Sequence, residues 1–399
     1  MIPSYLSEDQ ANALEIVLSR LKNGSRETIL VGPAGSGKST LTKEIADLCG
    51  MRCVLGAPTG RAARVLQEKT GRTAATIHRL LYSAFHYDKE TKKLLFLRPT
   101  PPCNPGEVLI IDEASMVGSR IYRELVAQVP LDARILWIAD REQLPPVQDT
   151  HGVRLELPDA ALTQVHRQAE GSVIIQYATA VRQGGGRAWE ERYQHDNPDL
   201  AIYEDLESAV EWIVDARERD EDATLLTYTH RIRSEVNDAV RHRLGLAKEP
   251  ISVGDRLVVR TNNYALGLMN GETVTVRAIH DVSKGHREMP SGTRYEIELE
   301  ELPDLSVFTF REHIEAGADV FQAWKQAETK SRRKPDLYLH VHYGQCLTVH
   351  SAQGSQWKSV GFISDGAYRR LTRERPEEGR RFLYTAITRA QTSLAVFTT

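Results

Sequence analysis

The chain has 399 residues, enough for two or three domains, and its 41% hydrophobic and 26% charged content is that of a soluble globular protein. A formal net charge of −3 removes bulk basicity as an argument for nucleic-acid binding, so any such function must be read from motifs. No apolar run is long enough to cross a membrane, MIPSYLSEDQ lacks the regions of a secretory leader, and four scattered cysteines suit a reducing compartment, so a cytoplasmic protein is expected.

Residues 6–22, LSEDQANALEIVLSRLK, read as an amphipathic helix. Ser7 is its expected N-cap and Gln10 stands at the capping-box position. The Gln10 amide has a second reading, because it could pair with the donor–acceptor edge of an adenine; the spacing favours the cap. A β-branched run, Thr28-Ile29-Leu30-Val31, then leads into Gly32-Pro33-Ala34-Gly35-Ser36-Gly37-Lys38-Ser39-Thr40. A helical pattern follows (Leu41, Ile45, Leu48). This is G-x-x-x-x-G-K-[ST] between a buried strand and a helix start. Glycines let backbone N–H groups converge on phosphate oxygens, and the positive end of the helix adds to that attraction. In such a loop Lys38 reaches the β- and γ-phosphates and the Ser39 hydroxyl ligates Mg²⁺. ATP and Mg²⁺ are therefore the expected cofactors.

A second buried strand, 53–57, ends in Pro58-Thr59-Gly60-Arg61 before another helix. A hydroxyl, loop N–H groups and a guanidinium suit a phosphodiester backbone. Residues 73–81, TAATIHRLL, read as a short helix. Residues 82–107 place Tyr82, Phe85, Tyr87 and Phe96 around a polar DKETKK turn and end in a proline-rich loop. This reads as a β-hairpin excursion whose aromatics could stack on bases or wedge a duplex. Next, Val108-Leu109-Ile110-Ile111-Asp112-Glu113 is an apolar strand ending in two carboxylates. Asp112 would hold Mg²⁺ and Glu113 would activate the attacking water. A fourth strand, 135–140, leads to Gln143 and two prolines, which hold that amide stiffly enough to sense a γ-phosphate.

Residues 223–229 and the helix after them repeat the strand–loop–helix pattern. From 251 the pattern changes to short β runs (256–260, 269–276, 295–299), with the turn signal Asn270-Gly271. Residues 311–334 read as helical and charged, with Lys330 to Lys334 solvated or touching DNA. Alternation at 337–342 signals a return to the second α/β unit. His340, His342 and His350 have no Cys or carboxylate partners at metal spacing and read as structural, and Cys49 and Cys53 read as buried thiols.

GPAGSGKST, APTGRAA, IIDEAS and ADREQLPPV, in this order, resemble motifs I, Ia, II and III of superfamily 1 helicases; Ala139-Asp140 stands where that family usually has Gly-Asp. LTQVHRQ at 162–168 resembles motif IV, LTVHSAQGSQ at 347–356 motif V, and FLYTAITRA at 382–390 motif VI. The last two are similar to the RecD-like and Dda-like branch, which moves 5′ to 3′ on single-stranded DNA. The resemblance implies an α/β fold of two RecA-like domains, parallel sheets flanked by helices. One is 1–152, carrying the 82–107 excursion. The other is 153–250 with 337–399, interrupted by an SH3-like β-barrel at 251–336. ATP would be hydrolysed between them, with Arg167 and Arg389 as arginine fingers and Gly354 at the nucleotide. A planar, permanently charged donor suits charge that spreads over γ-phosphoryl oxygens. Implied DNA contacts are Pro58, Thr59, Gly60, Arg61, Thr76 and His78 on one side and Thr348 and His350 on the other. Expected partners are single-stranded DNA and single-strand/duplex junctions, with single-strand-binding, replication or recombination proteins beside them. A monomer in a bacterial or phage-infected cytoplasm is expected. The same motifs fit an ATPase that remodels protein–DNA complexes without unwinding. A phosphotransferase with a small acceptor would need neither the second half nor the distal arginines.

Overall fold

The computed structural model describes residues 3–82, 85–88, 93–96, 100–146, 149–165, 172–184, 199–219, 221–263, 266–286, 289–311 and 337–399. Helix α1 (Glu8–Lys22) opens the chain, with Ser7 and Gln10 capping it reciprocally. Strand β1 (Glu27–Val31) feeds the phosphate loop and α2 (Lys38–Cys49), and β2 (Cys53–Ala57) feeds α3 (Gly60–Thr70). Then come β3 (Ala74–Thr76), α4 (Ile77–Leu81), the paired strands β4 (Phe85–Asp88) and β5 (Lys93–Phe96), β6 (Val108–Ile111), α5 (Ser119–Gln128), β7 (Arg134–Ala139) and β8 (Ala160–Ala161). Six of these strands form one sheet in the order β3-β2-β6-β7-β1-β8, each pair parallel. Period-two alternation divides the sheet's side chains between two cores. Leu109, Ile111, Ile135 and Trp137 pack on one face, and Leu30, Ile110, Leu136 and Ile138 meet Leu41 and Ile45 of α2 on the other.

The second half begins with α6 (Val173–Arg182), β9 (Leu200–Tyr203), α7 (Leu206–Glu218), β10 (Ala223–Thr227) and α8 (His230–Arg243). The chain then passes through β11 (Arg256–Val259), β12 (Thr273–His286), β13 (Met289–Leu299), β14 (Leu302–Phe310) and β15 (Val341–Tyr343). It returns as β16 (Cys346–Thr348), β17 (Trp357–Ser364), α9 (Gly366–Glu374), α10 (Pro376–Ile387) and β18 (Ala390–Thr398). Strands β16-β10-β17-β18-β9 make a second parallel sheet. The third sheet, β14-β13-β12-β11-β15, is antiparallel. Its two ends approach where the Leu339 N–H donates to the Phe308 carbonyl at 2.8 Å.

Four sequence expectations are revised. Residues 73–81 are not one helix: Ala74 to Thr76 pair with β2 at the sheet edge, and the Thr76 hydroxyl caps the shorter α4. The chain does not leave the first sheet at 152. Strand β8 pairs with β1, and Leu162 is buried in that sheet's core. Nor does 337–342 return to the second sheet, because β15 pairs with β11 and the return comes at β16. The runs expected near 269–276 and 295–299 extend into the long hairpin β12–β13. The 311–334 segment lies, after Arg311, outside the described residues. Among the described residues, no helix is long and apolar enough to cross a membrane.

Candidate nucleotide cleft and nucleic-acid groove

The phosphate loop turns on Gly35 and Gly37, at φ 79° and 82°, a region in which a side chain would be strained. Lys38 Nζ donates back to the carbonyls of Gly32 (2.7 Å) and Pro33 (2.9 Å). The loop opens on a cleft of about 470 Å³ that Pro33, Ala34, Gly35, Gly37, Lys38 and Ser39 line together with Asp112, Glu113 and Gln143. From the second half, Gly354, Gln356 and Arg389 line the same cleft. Glu113 is the single described non-glycine residue at positive φ, 53°. Strain at such a residue persists only where the surroundings over-determine it. It turns the chain sharply after β6, so that two successive carboxylates both line the cleft. Burial, then the neighbouring Glu113, lifts the Asp112 carboxyl to about 6. Lys69 Nζ sits 3.1 Å from Ser39 Oγ. The Ser39 hydroxyl and the Asp112 carboxyl, both lining the cleft, are an oxygen donor set that fits Mg²⁺.

Three expected nucleotide residues fall outside the cleft lining. Ser36 is buried and its hydroxyl donates to Pro33 O. Thr40 is exposed on α2. Gln10 is buried, caps α1 as the spacing favours, and donates from Nε2 to Ser36 O at 3.5 Å. Arg167 lies outside the described residues.

The halves are joined at this cleft by hydrogen bonds that local sequence does not announce. The Ala34 N–H donates to Tyr384 Oη (2.8 Å), and that hydroxyl donates to Asp140 Oδ2 (2.7 Å). Burial, chiefly, raises both the Asp140 carboxyl, 1% exposed, and the Tyr384 phenol. Leu144 N donates to Thr385 Oγ1 (3.0 Å), and Gln353 Nε2 donates to Leu144 O (3.1 Å). Arg380 bonds Glu142 at 2.8 Å. Arg389 is 2% exposed and bonds Thr385 O, Ser355 O and Thr388 Oγ1 of its own half. Guanidinium carries five donors, so two remain. Gly354 has φ 72°, and a Cβ there would sit 2.8 Å from Thr59 Oγ1, so glycine permits the close approach of the halves.

A second cavity, about 670 Å³, runs between the halves on another side. Thr59 lines it from the first half, and Thr348, His350, Tyr228, His230 and Arg260 line it from the second. The remaining expected DNA contacts are placed differently. Arg61 donates to Gly271 O (3.2 Å) and Gln356 O (2.6 Å) and lies 4.3 Å from the Trp357 ring, so it ties the halves together instead of facing the groove. Thr76 is buried as the α4 cap, and His78 packs near Tyr82; neither lines this groove. Pro58 and Gly60 flank Thr59 without lining it, and a Cβ on Gly60 would meet Met269. Tyr82, a wedge candidate, is 7% exposed and its hydroxyl bonds Glu124, so it belongs to the core. For Phe85, Tyr87 and Phe96 the structure gives the strand pairing, with Phe85 opposite Phe96.

Sequence reasoning passed over Tyr384, Lys69, His230 and Arg260. Tyr384 lay inside a segment already singled out, five residues before Arg389. His230 follows the carboxyl end of a parallel strand, the place where ligands collect in open α/β sheets.

The AAA domain family model matches residues 5–197, and the UvrD-like helicase C-terminal domain model matches residues 343–397. The chain is 32% identical to the ATP-dependent RecD2 DNA helicase of Deinococcus radiodurans, over 97% of this chain and 48% of that protein. It is 32% identical to the ATP-dependent DNA helicase dda of Enterobacteria phage T4, over 45% of this chain and 43% of that protein. The chain thus spans about half the length of these relatives. The crystal structure of Pif1 helicase from Bacteroides in complex with ADP-AlF3 and ssDNA shares the fold, with a TM-score of 0.52 at 15% identity over 99% of this chain and 92% of that one. The two family models lie on the motifs of both halves, and the RecD2 relative aligns along nearly the whole of this chain; the chain is similar throughout to superfamily 1 helicases of the RecD and Dda branch.

Proposed function

We propose that the protein is an ATP-dependent DNA helicase that travels 5′ to 3′ on single-stranded DNA and unwinds duplex. The observation that carries this reading is the shared cleft: the phosphate loop, Asp112 and Glu113 from one half face Gly354 and Arg389 from the other. On this reading the first parallel sheet is one RecA-like domain, the second is its partner, and the antiparallel sheet is an SH3-like insertion.

Lys38 and the loop N–H groups hold the β- and γ-phosphates of ATP. Ser39 and Asp112 would hold Mg²⁺, which would supply neutralisation of phosphate charge there. Glu113 accepts a proton from the attacking water, and Gln143 positions that water or the γ-phosphate. Arg389, with two donors left, and Arg167 stabilise the charge that spreads over the γ-phosphoryl oxygens. The bonds from Tyr384, Thr385 and Gln353 to Asp140, Ala34 and Leu144 make the relative position of the halves sensitive to what the cleft holds. A change in that position moves Thr59 against Thr348 and His350, which alters the grip on a strand in the groove. The β4–β5 hairpin is the candidate wedge.

The test is ATP turnover with and without single-stranded DNA, run beside unwinding of duplexes with a 5′ or a 3′ tail. Strong stimulation with unwinding only from the 5′ tail is expected. Stimulated turnover with no unwinding from either tail would replace the helicase with a remodelling ATPase. Turnover indifferent to DNA would overturn both.

A further inference from the structure

Helix α8 carries four arginines, at 231, 233, 241 and 243. Three have acidic partners. Arg231 pairs with Glu235 and Arg243 with Glu207 and Glu211 on the surface. Arg241, buried, takes both Asp255 oxygens (2.8 and 3.0 Å) and the carbonyls of Leu246 and Glu249. Arg233 is different. Its side chain is half-buried, makes no hydrogen bond or ion pair among the described residues, and has a buried Nε with no partner. Guanidinium does not shed its charge to relieve this, so the arrangement is costly unless something else supplies acceptors.

Arg233 lines a cavity of about 550 Å³ between α8, the 247–250 loop and β15. His342 of β15 lines it too, is 8% exposed, and has a buried Nδ1 with no partner. Burial, then the cations Arg260 and Arg233, keeps that imidazole neutral, pushing it down to about 2. A neutral imidazole still offers one N–H. Lys248 and Arg311 stand at the rim. Two carboxylates also line the cavity, Asp238 and Glu249, both exposed, and neither bonds Arg233. The interior therefore brings a guanidinium and an imidazole together, while Glu249 and Asp238, whose charge acts on Arg233, stay exposed.

We propose that this cavity is a binding site for a phosphate group, distinct from the ATP cleft, with the half-buried Arg233 and the buried His342 as its inner donors. A planar fork beside an imidazole N–H matches an oxyanion bearing several acceptor oxygens. The phosphate comes from a free nucleotide or from a polynucleotide backbone. The site stands whether or not the chain unwinds DNA, because its test reads binding alone.

The protein is first saturated with ADP and Mg²⁺ to fill the cleft, then titrated calorimetrically with inorganic phosphate. One further phosphate per chain is expected, weakened about tenfold or more in Arg233→Gln. Arg231→Gln, on the same helix but paired on the surface, should bind as the parent does. Lys248→Gln, at the rim and tolerant of change, should weaken binding about threefold, and it serves should Arg233→Gln fold poorly. Displacement of phosphate by oligothymidylate marks a polynucleotide source, and displacement by AMP alone marks a nucleotide; both support the site. No further phosphate on the parent protein, or binding unchanged in both Arg233→Gln and Lys248→Gln, would overturn it.

Discussion

In the nucleotide cleft, polar side chains of the second half are bonded to backbone and carboxylate groups of the first, as Tyr384, Thr385, Gln353 and Arg380 are. Along the groove the donors are left looser. Arg260 has Ser351 Oγ at 3.1 Å, and burial together with Arg233 lowers its affinity for its proton without a carboxylate to offset this. His350 rests edge-on to Phe382 and is held neutral mainly by burial. Reacting phosphates must be held in one geometry, which fixed cross-links secure. A strand that has to move is better met by donors whose partners come and go. The contrast predicts that changes in the cleft act through rate and coupling, and that changes in the groove act through affinity and salt dependence.

The largest expected effect is at Arg389. Arg389→Lys keeps a charge and loses the planar fork, and turnover should fall by about 10³-fold or more, since an arginine finger is worth about 10³–10⁵. Nucleotide affinity, read by a fluorescent analogue, should change little. Arg167→Ala should behave alike, and near-normal turnover in either variant would remove that arginine from the reaction. Next comes Tyr384→Phe. It leaves the Ala34 N–H and the buried Asp140 each short of a partner, at a cost of about 1–3 kcal/mol of unfolding free energy, read as a lower denaturant midpoint. Saturating ATP should restore part of that loss, because phosphate oxygens can take the Ala34 N–H. An unchanged midpoint would mean that this chain of bonds does not hold the halves together.

What was legible in the sequence and what was not follow from range. The phosphate loop and the strands at 28–31, 53–57, 108–111 and 223–227 are encoded locally, in β-branched apolar runs that end in glycine or polar turns. The Ser7–Gln10 cap is encoded within one turn. Tyr384 binds the loop across a separation of 350 positions, and Arg61 finds its carbonyls at separations of 210 and 295. No local pattern tells a cation bound for DNA from one bound for a carbonyl of the other half. Ala74-Ala75-Thr76 has no strand signal of its own; its pairing comes from the free edge of β2. Strand β8, at two residues, is too short to show a period, so no local pattern marks the end of the first sheet. The alternation around His340 and His342 suits either sheet equally, and only pairing with β11 decides.

In the groove, Arg260→Gln should weaken single-stranded DNA binding several-fold. It should also flatten the slope of log affinity against log salt by about 0.7, the share of one phosphate contact on a single strand. ATP affinity without DNA should not move. An unchanged salt slope would mean that the strand does not pass Arg260, and the contrast between loose and cross-linked sites would lose its functional meaning.

The smallest effect on activity is expected at Tyr82, which sits next to the hairpin in sequence but in the core in space. The side chain is 7% exposed, and burial, then its bond to Glu124, pushes the phenol up to about 12. Tyr82→Leu removes the aromatic face and the hydroxyl while leaving most of the volume. Stability should fall by about 1–3 kcal/mol through the lost hydrogen bond and imperfect packing. Base pairs opened per ATP hydrolysed should stay the same, because that ratio depends on the group that splits the duplex and not on the amount of folded enzyme. The same ratio measured after leucine replacement of Phe85, Tyr87 and Phe96 tests the hairpin itself, where a wedge would lower it. A fall in the ratio at Tyr82, with those three unaffected, would mean that this side chain leaves its pocket during the cycle.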